Sequence, residues 1–223
     1  MTAPLLDASD TLAVRRFICE NTQLVSPPLV PEIRLHLAEE SVPLWQKTED
    51  ELGDIRLPPP FWAFAWAGGQ ALARYLLDNP GICRGNTVLD LGSGSGITAI
   101  AACLSGAQSV VAADIDLFAL TACHLNAAAN GVTFEVTSDD QLAKPPAHTT
   151  ILLIGDLFYE RPLAERVGVY IMAAKAQGAV VLVGDPQRSY FPRTSFRRLA
   201  DYQVPVTRDL EDAVIKNTAV WQA

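Results

Sequence analysis

The chain has 223 residues, 49% of them hydrophobic, and a formal net charge of −8. That is enough apolar material for one sizeable core, and it argues against wholesale disorder. The acidic balance argues against general binding to a phosphate backbone, which needs a basic surface, and is better matched to a cationic partner.

The start, MTAPLLDASD, has no basic segment leading into an apolar run, so no secretion signal is expected, and no apolar stretch is long enough to predict a membrane span. Residues 1–60 read as a helical N-terminal extension that serves as a lid or a substrate-docking segment. Two helix-like runs, near 9–20 and 31–40, flank the Pro27-Pro28 break, with Ser9 placed to cap the first and Pro31 to open the second. LPPPFW, residues 57–62, forces an extended entry into the main domain, 61–223. From Trp66 a helical pattern begins, AGGQALARYLLDNPG, with Leu72, Leu76 and Leu77 on one face and a stop at Asn79-Pro80-Gly81.

Short β-rich runs then alternate with helical ones. Strands are predicted at 87–91, 109–114, 133–137, 150–155 and 179–184, with helices between them at about 96–105, 117–129 and 162–177. Gly106 and Asn130-Gly131 are the natural C-terminal stops of the first two helices. Nearly continuous apolar strands, each followed by a helix, imply an α/β domain with a parallel sheet covered on both faces. The tail breaks the alternation: 203–208 and 213–221 read as strands without a full helix between them, the pattern of an antiparallel hairpin at the sheet edge. Before them, FPRTSFRRLADYQ carries Arg193, Arg197 and Arg198, either as a solvated helix face or as a docking patch for an acidic rim of a protein partner. Cys19, Cys83, Cys103 and Cys123 form no CxxC pair and read as reduced thiols of a cytoplasmic protein, with no zinc site.

VLDLGSGSGITAI, residues 88–100, runs from a strand through alternating glycines into a helix. Gly92, Gly94 and Gly96 have the spacing GxGxG. A dinucleotide fingerprint would want its third glycine at position 97, where Ile97 stands, and no GKS or GKT follows for a P-loop. A tight turn that holds no ligand is the plain alternative. Asp90 would repel a pyrophosphate at the end of its strand but suits a cationic ligand such as S-adenosylmethionine, and bare glycines let the backbone approach its methionine part. Asp114 ends the second strand, where a carboxylate can accept hydrogen bonds from a ribose diol. Asp116 is the better placed of the two to cap the following helix. Asp139 and Asp140 follow the third strand. One of them is expected to meet an adenine amino group, unless both belong to a solvated turn.

Asp90, the GxGxG loop, Asp114 and an acid after strand three together resemble the class I S-adenosylmethionine-dependent methyltransferases, over roughly residues 60–223. The resemblance implies a Rossmann-like sheet of seven strands in the order 3-2-1-4-5-7-6 with strand 7 antiparallel. It extends the cofactor set to Trp66, Ser93 and Ile115, and it implies S-adenosylhomocysteine as the product. GDLFYE, residues 155–160, lacks the prolines of enzymes that methylate exocyclic base amines, which lowers nucleic acid as a substrate. Asp156-Leu157-Phe158-Tyr159 matches the Asp-x-x-Tyr pattern of the seven-β-strand protein lysine methyltransferases. PPPFWAFAWAGGQALARYLLDNP (58–80) and VGDPQRSYFP (183–192) are similar to segments of the electron transfer flavoprotein β-subunit lysine methyltransferases, and a start without a transit peptide is what a bacterial member would show. The resemblance implies that subunit as the protein partner. It places Asp156 and Tyr159 at the catalytic end and Asp156 beside the cofactor, with Trp62, Phe64, Trp66, Phe158 and Tyr159 available for cation–π contact with the acceptor. Ribosomal protein L11 or small-amine methylation, and a catalytically silent binding module of the same fold, are the alternatives.

Overall fold

The computed structural model describes residues 7–39, 59–146, 148–206 and 214–223. Leu57 and Pro58 of the proline-rich entry, Glu40 of the expected second helix, and Thr207, Arg208 and Ala213 of the expected tail strands lie outside the described residues. In chain order the elements are α1 (Thr11–Asn21), β1 (Gln23–Val25), β2 (Leu35–Leu37), α2 (Ala67–Asp78), β3 (Thr87–Leu91), α3 (Ile97–Leu104), β4 (Ser109–Ala113), α4 (Leu117–Ala129), β5 (Glu135–Thr137), β6 (Ile151–Gly155), α5 (Arg161–Ala176), β7 (Val180–Asp185), β8 (Arg197–Pro205) and β9 (Ile215–Gln222). Strands β3 to β9 form one sheet in the order β5-β4-β3-β6-β7-β9-β8. Counted from Thr87 this is 3-2-1-4-5-7-6, with β9 antiparallel to both neighbours and the remaining pairs parallel.

Three local expectations are corrected. The first helix is capped by Asp10, whose carboxylate accepts from the backbone N–H of Leu12 at 3.0 Å and Ala13 at 3.1 Å, while Ser9 turns back to Asp7. Asp10 directly precedes the apolar run, so it reaches two amides that the helix itself leaves unpaired.

No helix forms over 31–39. Pro31 and Glu32 lie in a turn, and β2 pairs antiparallel with β1. Side chains of α4 hold this segment extended: Asn126 accepts from His36 N at 2.7 Å, and Asn130 both accepts from Arg34 N at 2.9 Å and donates to Arg34 O at 2.6 Å. Ile33 and Leu35 are fully buried among the core residues of α2 and α3. Tertiary partners override a local helical tendency here.

Arg197 and Arg198 lie on β8 rather than on a helix face. They are committed within the sheet edge: Arg197 donates to Gln222, and Arg198 pairs with Asp201 and stacks 5.6 Å from the Trp221 ring centroid.

Residues 7–39 pack onto the sheet domain. Val14, Phe17 and Ile18 of α1 join Trp62, Phe64, Phe118, Ala122 and Leu125 in one buried cluster, with Phe17 edge-on to Phe118 at 5.7 Å and Trp62 stacked on Phe118 at 5.9 Å. A second cluster fills the interface between the sheet, α2 and α3. A third, around Phe158, Phe191 and Trp221, fills the α5 side.

The first turn of α2 meets the ends of β6 and β7 backbone against backbone. A Cβ on Gly184 would collide with Gly68 O, and one on Gly68 would collide with Gly184 O and fall 2.5 Å from Asp156 Oδ2. A Cβ on Gly155 would lie 3.2 Å from Gly69 Cα. Gly184→Ala is therefore expected to destabilise the protein by about 2 kcal/mol or more through overpacking. Gly168→Ala, in α5 with nothing within 4 Å of the added carbon, should stabilise by about 0.5–1 kcal/mol. Urea midpoints of the two variants check both signs.

Candidate functional site

The carboxyl ends of β3, β4 and β6 open onto a cavity of about 480 Å³, also walled by Pro59–Trp66 and by the segments after β5 and β7. Crevices at this end of an open parallel sheet are where such folds place ligands. The loop between β3 and α3 forms its floor. Gly92, Gly94 and Gly96 all have left-handed φ angles, of 68°, 51° and 78°, which side chains rarely tolerate. Their surroundings differ. A Cβ on Gly92 would lie 2.7 Å from Leu157 Cδ2, and one on Gly96 3.1 Å from Cys123 Sγ. A Cβ on Gly94 would meet nothing in the protein closer than 3.9 Å, and Gly94 borders the cavity. Only Gly94 therefore leaves space that a ligand can take.

Asp114 holds this loop in place. Its Oδ2 accepts from Gly94 N at 2.8 Å and its Oδ1 from Asp116 N at 3.0 Å, while the carboxylate faces the cavity. Burial raises its pKa, opposed by the amides of Asp116, Gly94 and Ile115. Asp116 caps α4 through Phe118 N at 2.9 Å, and burial pushes its pKa up to about 6. Beside them Ile115 lines the cavity while 74% exposed, an apolar side chain left largely to solvent. Asp139 and Asp140 both line the same end. Asp139 accepts from Lys144 Nζ at 2.7 Å. Asp140 caps the 141–143 turn and pairs with Arg166 Nη2 at 2.5 Å.

Asp90 and Gly96 do not line the cavity. Asp90 lies beneath the loop, 1% exposed, where its Oδ2 accepts from Ala99 N at 3.1 Å in the first turn of α3. Burial raises its pKa from 3.8 to about 7. It is connected to the cavity through the loop that it and α3 support.

At the other end stand Asp156, Tyr159 and Trp66. Asp156 has a left-handed φ of 59°, tolerable for an aspartate. Its Oδ2 accepts from Gly69 N at 3.0 Å in the first turn of α2, and its Oδ1 accepts from Arg188 Nη2 at 2.9 Å. Trp66 donates from Nε1 to Phe61 O at 2.9 Å. The Phe61 ring lies 5.7 Å from Trp66 and 5.6 Å from Tyr159, centroid to centroid, so three aromatic rings frame the opening. Burial raises the pKa of Tyr159, and the charges of Glu160 and Asp114 add to it. Trp62 and Phe158 are core residues, 1% and 0% exposed.

The cavity thus gathers Trp66, Gly92, Ser93, Gly94, Asp114, Ile115, Asp139, Asp140, Asp156 and Tyr159. It adds Phe61, Gly69, Arg166 and Arg188, which the sequence did not single out. The available signals were the glycine pair at 68–69 and the repeated Gly-Asp at the ends of two strands, Gly155-Asp156 and Gly184-Asp185. A bare Gly94, a carboxylate at a diol's distance from it in sequence, a largely exposed Ile115 and an acidic rim suit a ligand with a cationic end, a ribose and a flat ring. S-adenosylmethionine has all three. Among the described residues no cluster of three or more His, Cys, Asp or Glu is arranged to hold a metal ion.

Known proteins resemble the chain in sequence and in fold. The family model for ribosomal protein L11 methyltransferase (PrmA) matches residues 70–153. The electron transfer flavoprotein β-subunit lysine methyltransferase of Danio rerio is 38% identical over 216 residues, covering 94% of this chain and 83% of that protein. The enzyme of the same description from Rattus norvegicus is 38% identical over 220 residues, covering 94% and 84%. Among solved structures, magnesium protoporphyrin IX methyltransferase from Synechocystis PCC 6803 with bound S-adenosylmethionine superimposes with a TM-score of 0.53 at 14% identity, covering 99% of this chain and 98% of that one.

The Asp90 carboxyl makes a pH prediction with a definite sign. Because its folded-state pKa is raised from 3.8 to about 7, the native state keeps a proton that the unfolded chain has already released. The group therefore costs stability progressively as pH rises across that interval. Asp90→Asn removes this dependence, so its stability relative to the parent protein should rise by more than about 1 kcal/mol between about pH 5 and pH 8. Urea unfolding of both proteins at the two pH values checks it, and a constant difference contradicts the buried-proton reading.

Proposed function

Because the chain belongs to the electron transfer flavoprotein β-subunit lysine methyltransferases, we propose that it transfers methyl groups from S-adenosylmethionine to a lysine of that flavoprotein subunit. The observation that carries the reading is the cavity's division into a carboxylate-and-glycine half and an aromatic mouth. Gly94 and Asp114 meet at 2.8 Å in the first, and Phe61, Trp66 and Tyr159 frame the second. The family model for the L11 enzymes stops at residue 153, before the mouth, and so says nothing of the acceptor.

The bound cofactor supplies an activated methyl group on a sulfonium that leaves as a neutral thioether. Asp114 is placed to accept from the ribose hydroxyls with the lone pairs left after Gly94 N and Asp116 N are satisfied. Ser93 and Gly94 present backbone to the methionine part, and Ile115 offers its apolar surface to the adenine. Asp139 or Asp140 receives the adenine amino group. Asp90 and Gly96 set the shape of the loop. Trp66 and Tyr159 border the reacting end and exclude water from it, so that alignment does most of the work. Asp156, with one oxygen on Gly69 N and the other on Arg188, shapes the acceptor mouth and does not act as a general base.

We assign the protein to the cytoplasm and expect no nucleic-acid partner, in keeping with a net charge of −8. Among the described residues no helix is long and apolar enough to cross a membrane. Residues 1–60 are proposed to serve as a lid or in substrate docking.

The test is incubation of the protein with S-adenosylmethionine and purified electron transfer flavoprotein, followed by peptide mass spectrometry of the β-subunit. Methyl groups on a β-subunit lysine are expected, and an unmodified subunit would overturn the assignment. Gly94→Arg, which fills the space the bare Cα leaves, should abolish S-adenosylmethionine binding in calorimetry without lowering the thermal midpoint by more than a few degrees. Unchanged affinity would contradict the role of the loop.

A further inference from the structure

Arg188 reaches the cavity from the turn after β7. Gln187 takes a left-handed φ of 71° there, and Arg188 N donates to Asp185 Oδ1 at 2.8 Å. Its guanidinium lies 5.6 Å from the Trp66 ring centroid and pairs with Asp156 at 2.9 Å, in the wall that also holds Gly69 and Tyr159. The other described cation in the cavity wall, Arg166, is paired with Asp140. The two non-glycine residues with left-handed backbone among those described, Asp156 and Gln187, are the two that set up this contact. Strain of this kind persists only where the surroundings enforce it, and it concentrates at functional sites.

A methyl acceptor must be a neutral amine. An unopposed carboxylate at the mouth would do the opposite of what transfer needs, because it stabilises the ammonium and raises its pKa. Resting on the reading that this mouth receives a lysine, we infer that Arg188 is a positioning residue for acceptor deprotonation. It neutralises Asp156 and fixes it against α2, so that the entering side chain meets an ion pair rather than a bare carboxylate. The lysine then gives its proton to water before the nitrogen lone pair attacks. The N–C bond forms as the C–S bond breaks, and the bonding pair stays on sulfur. The indole of Trp66 carries the protein's own cation, which leaves Phe61 and Tyr159 to contact the acceptor stem.

Several other charged and titratable groups surround this corner. Tyr159 and Glu160 follow β6. Asp185 ends β7, with burial raising its pKa to about 7. Asp114 and Asp116 follow β4, while Asp139 and Asp140 at the far end are held by Lys144 and Arg166.

The experiment is the pH dependence of kcat with saturating cofactor and flavoprotein, whose acid limb reports the amine within the ternary complex. Arg188→Gln should move that limb up by about one pH unit, because a cation is lost and a carboxylate uncovered. Arg188→Lys should leave it within a few tenths of a unit. Asp156→Asn, which keeps an acceptor for Gly69 N, should move it down, and Asp185→Asn should keep it. The limb is read on a relative scale, so a slow variant still reports, and calorimetry with S-adenosylmethionine shows that each variant is folded. Limbs that coincide in all variants, or Gln and Lys variants that shift together, overturn the inference alone, as does loss of the limb in Asp185→Asn. Absence of flavoprotein methylation by the parent protein removes the reading beneath it and this inference with it.

Discussion

Backbone contact between the first turn of α2 and the ends of β6 and β7 is the constraint on which the site depends. Four glycines, Gly68, Gly69, Gly155 and Gly184, remove the side chains that would hold helix and strands apart. At that separation Asp156 accepts a hydrogen bond from Gly69 N. The helix N-terminus, with its positive dipole end and unpaired amides, thereby becomes part of the cavity wall. The same contact carries Trp66, the residue before the helix, to the mouth, and the turn after β7 brings Arg188 against both. Core packing on either face of the sheet supports this arrangement but does not create it.

The second half of the cavity obeys a different rule. Its carboxylates are held by the chain's own amides, Asp114 by Gly94 and Asp116 and Asp140 by Leu142, with Asp90 held by Ala99 beneath the loop. Asp139 and Asp140 are also paired with Lys144 and Arg166, whereas Asp114 is held by amides. Removing water raises the pKa values of Asp90 and Asp114, and the amides resist that rise. A cationic ligand entering the cavity would relieve it further. The acidic half and the Arg188–Asp156 corner are therefore electrostatically distinct, one suited to holding a cation and the other already neutralised.

Much of this was legible in the sequence. Apolar runs separated by helical periods marked the parallel strands and the tail hairpin, the strand order was what the family resemblance implied, and β3 and α4 fall on the predicted boundaries. The glycines and aspartates that the fold gathers at the cavity could be picked out because they are local features: a glycine spacing, and an acid just after the end of three strands. What escaped was decided by distant partners. Residues 31–39 carry a helix-like pattern but are drawn into a strand by Asn126 and Asn130, roughly ninety residues on. Arg197 and Arg198 read as helical until β9 offered an edge to pair with. Phe61, Gly69 and Arg188 belong to three separate segments, and no spacing rule links them before the chain folds. Asp90 reads in the sequence as a carboxylate for a cationic ligand, but its neighbours bury it beneath the loop, where it accepts from Ala99 N.

The most direct measurement of the whole account is a crystal structure with S-adenosylhomocysteine bound. The ribose is expected on Asp114, the adenine against Ile115, the amino-acid tail along Gly92–Gly94, and the sulfur facing Trp66, Tyr159 and Arg188. A ligand bound in the reverse sense, or a cavity that stays vacant at saturating ligand, would contradict it.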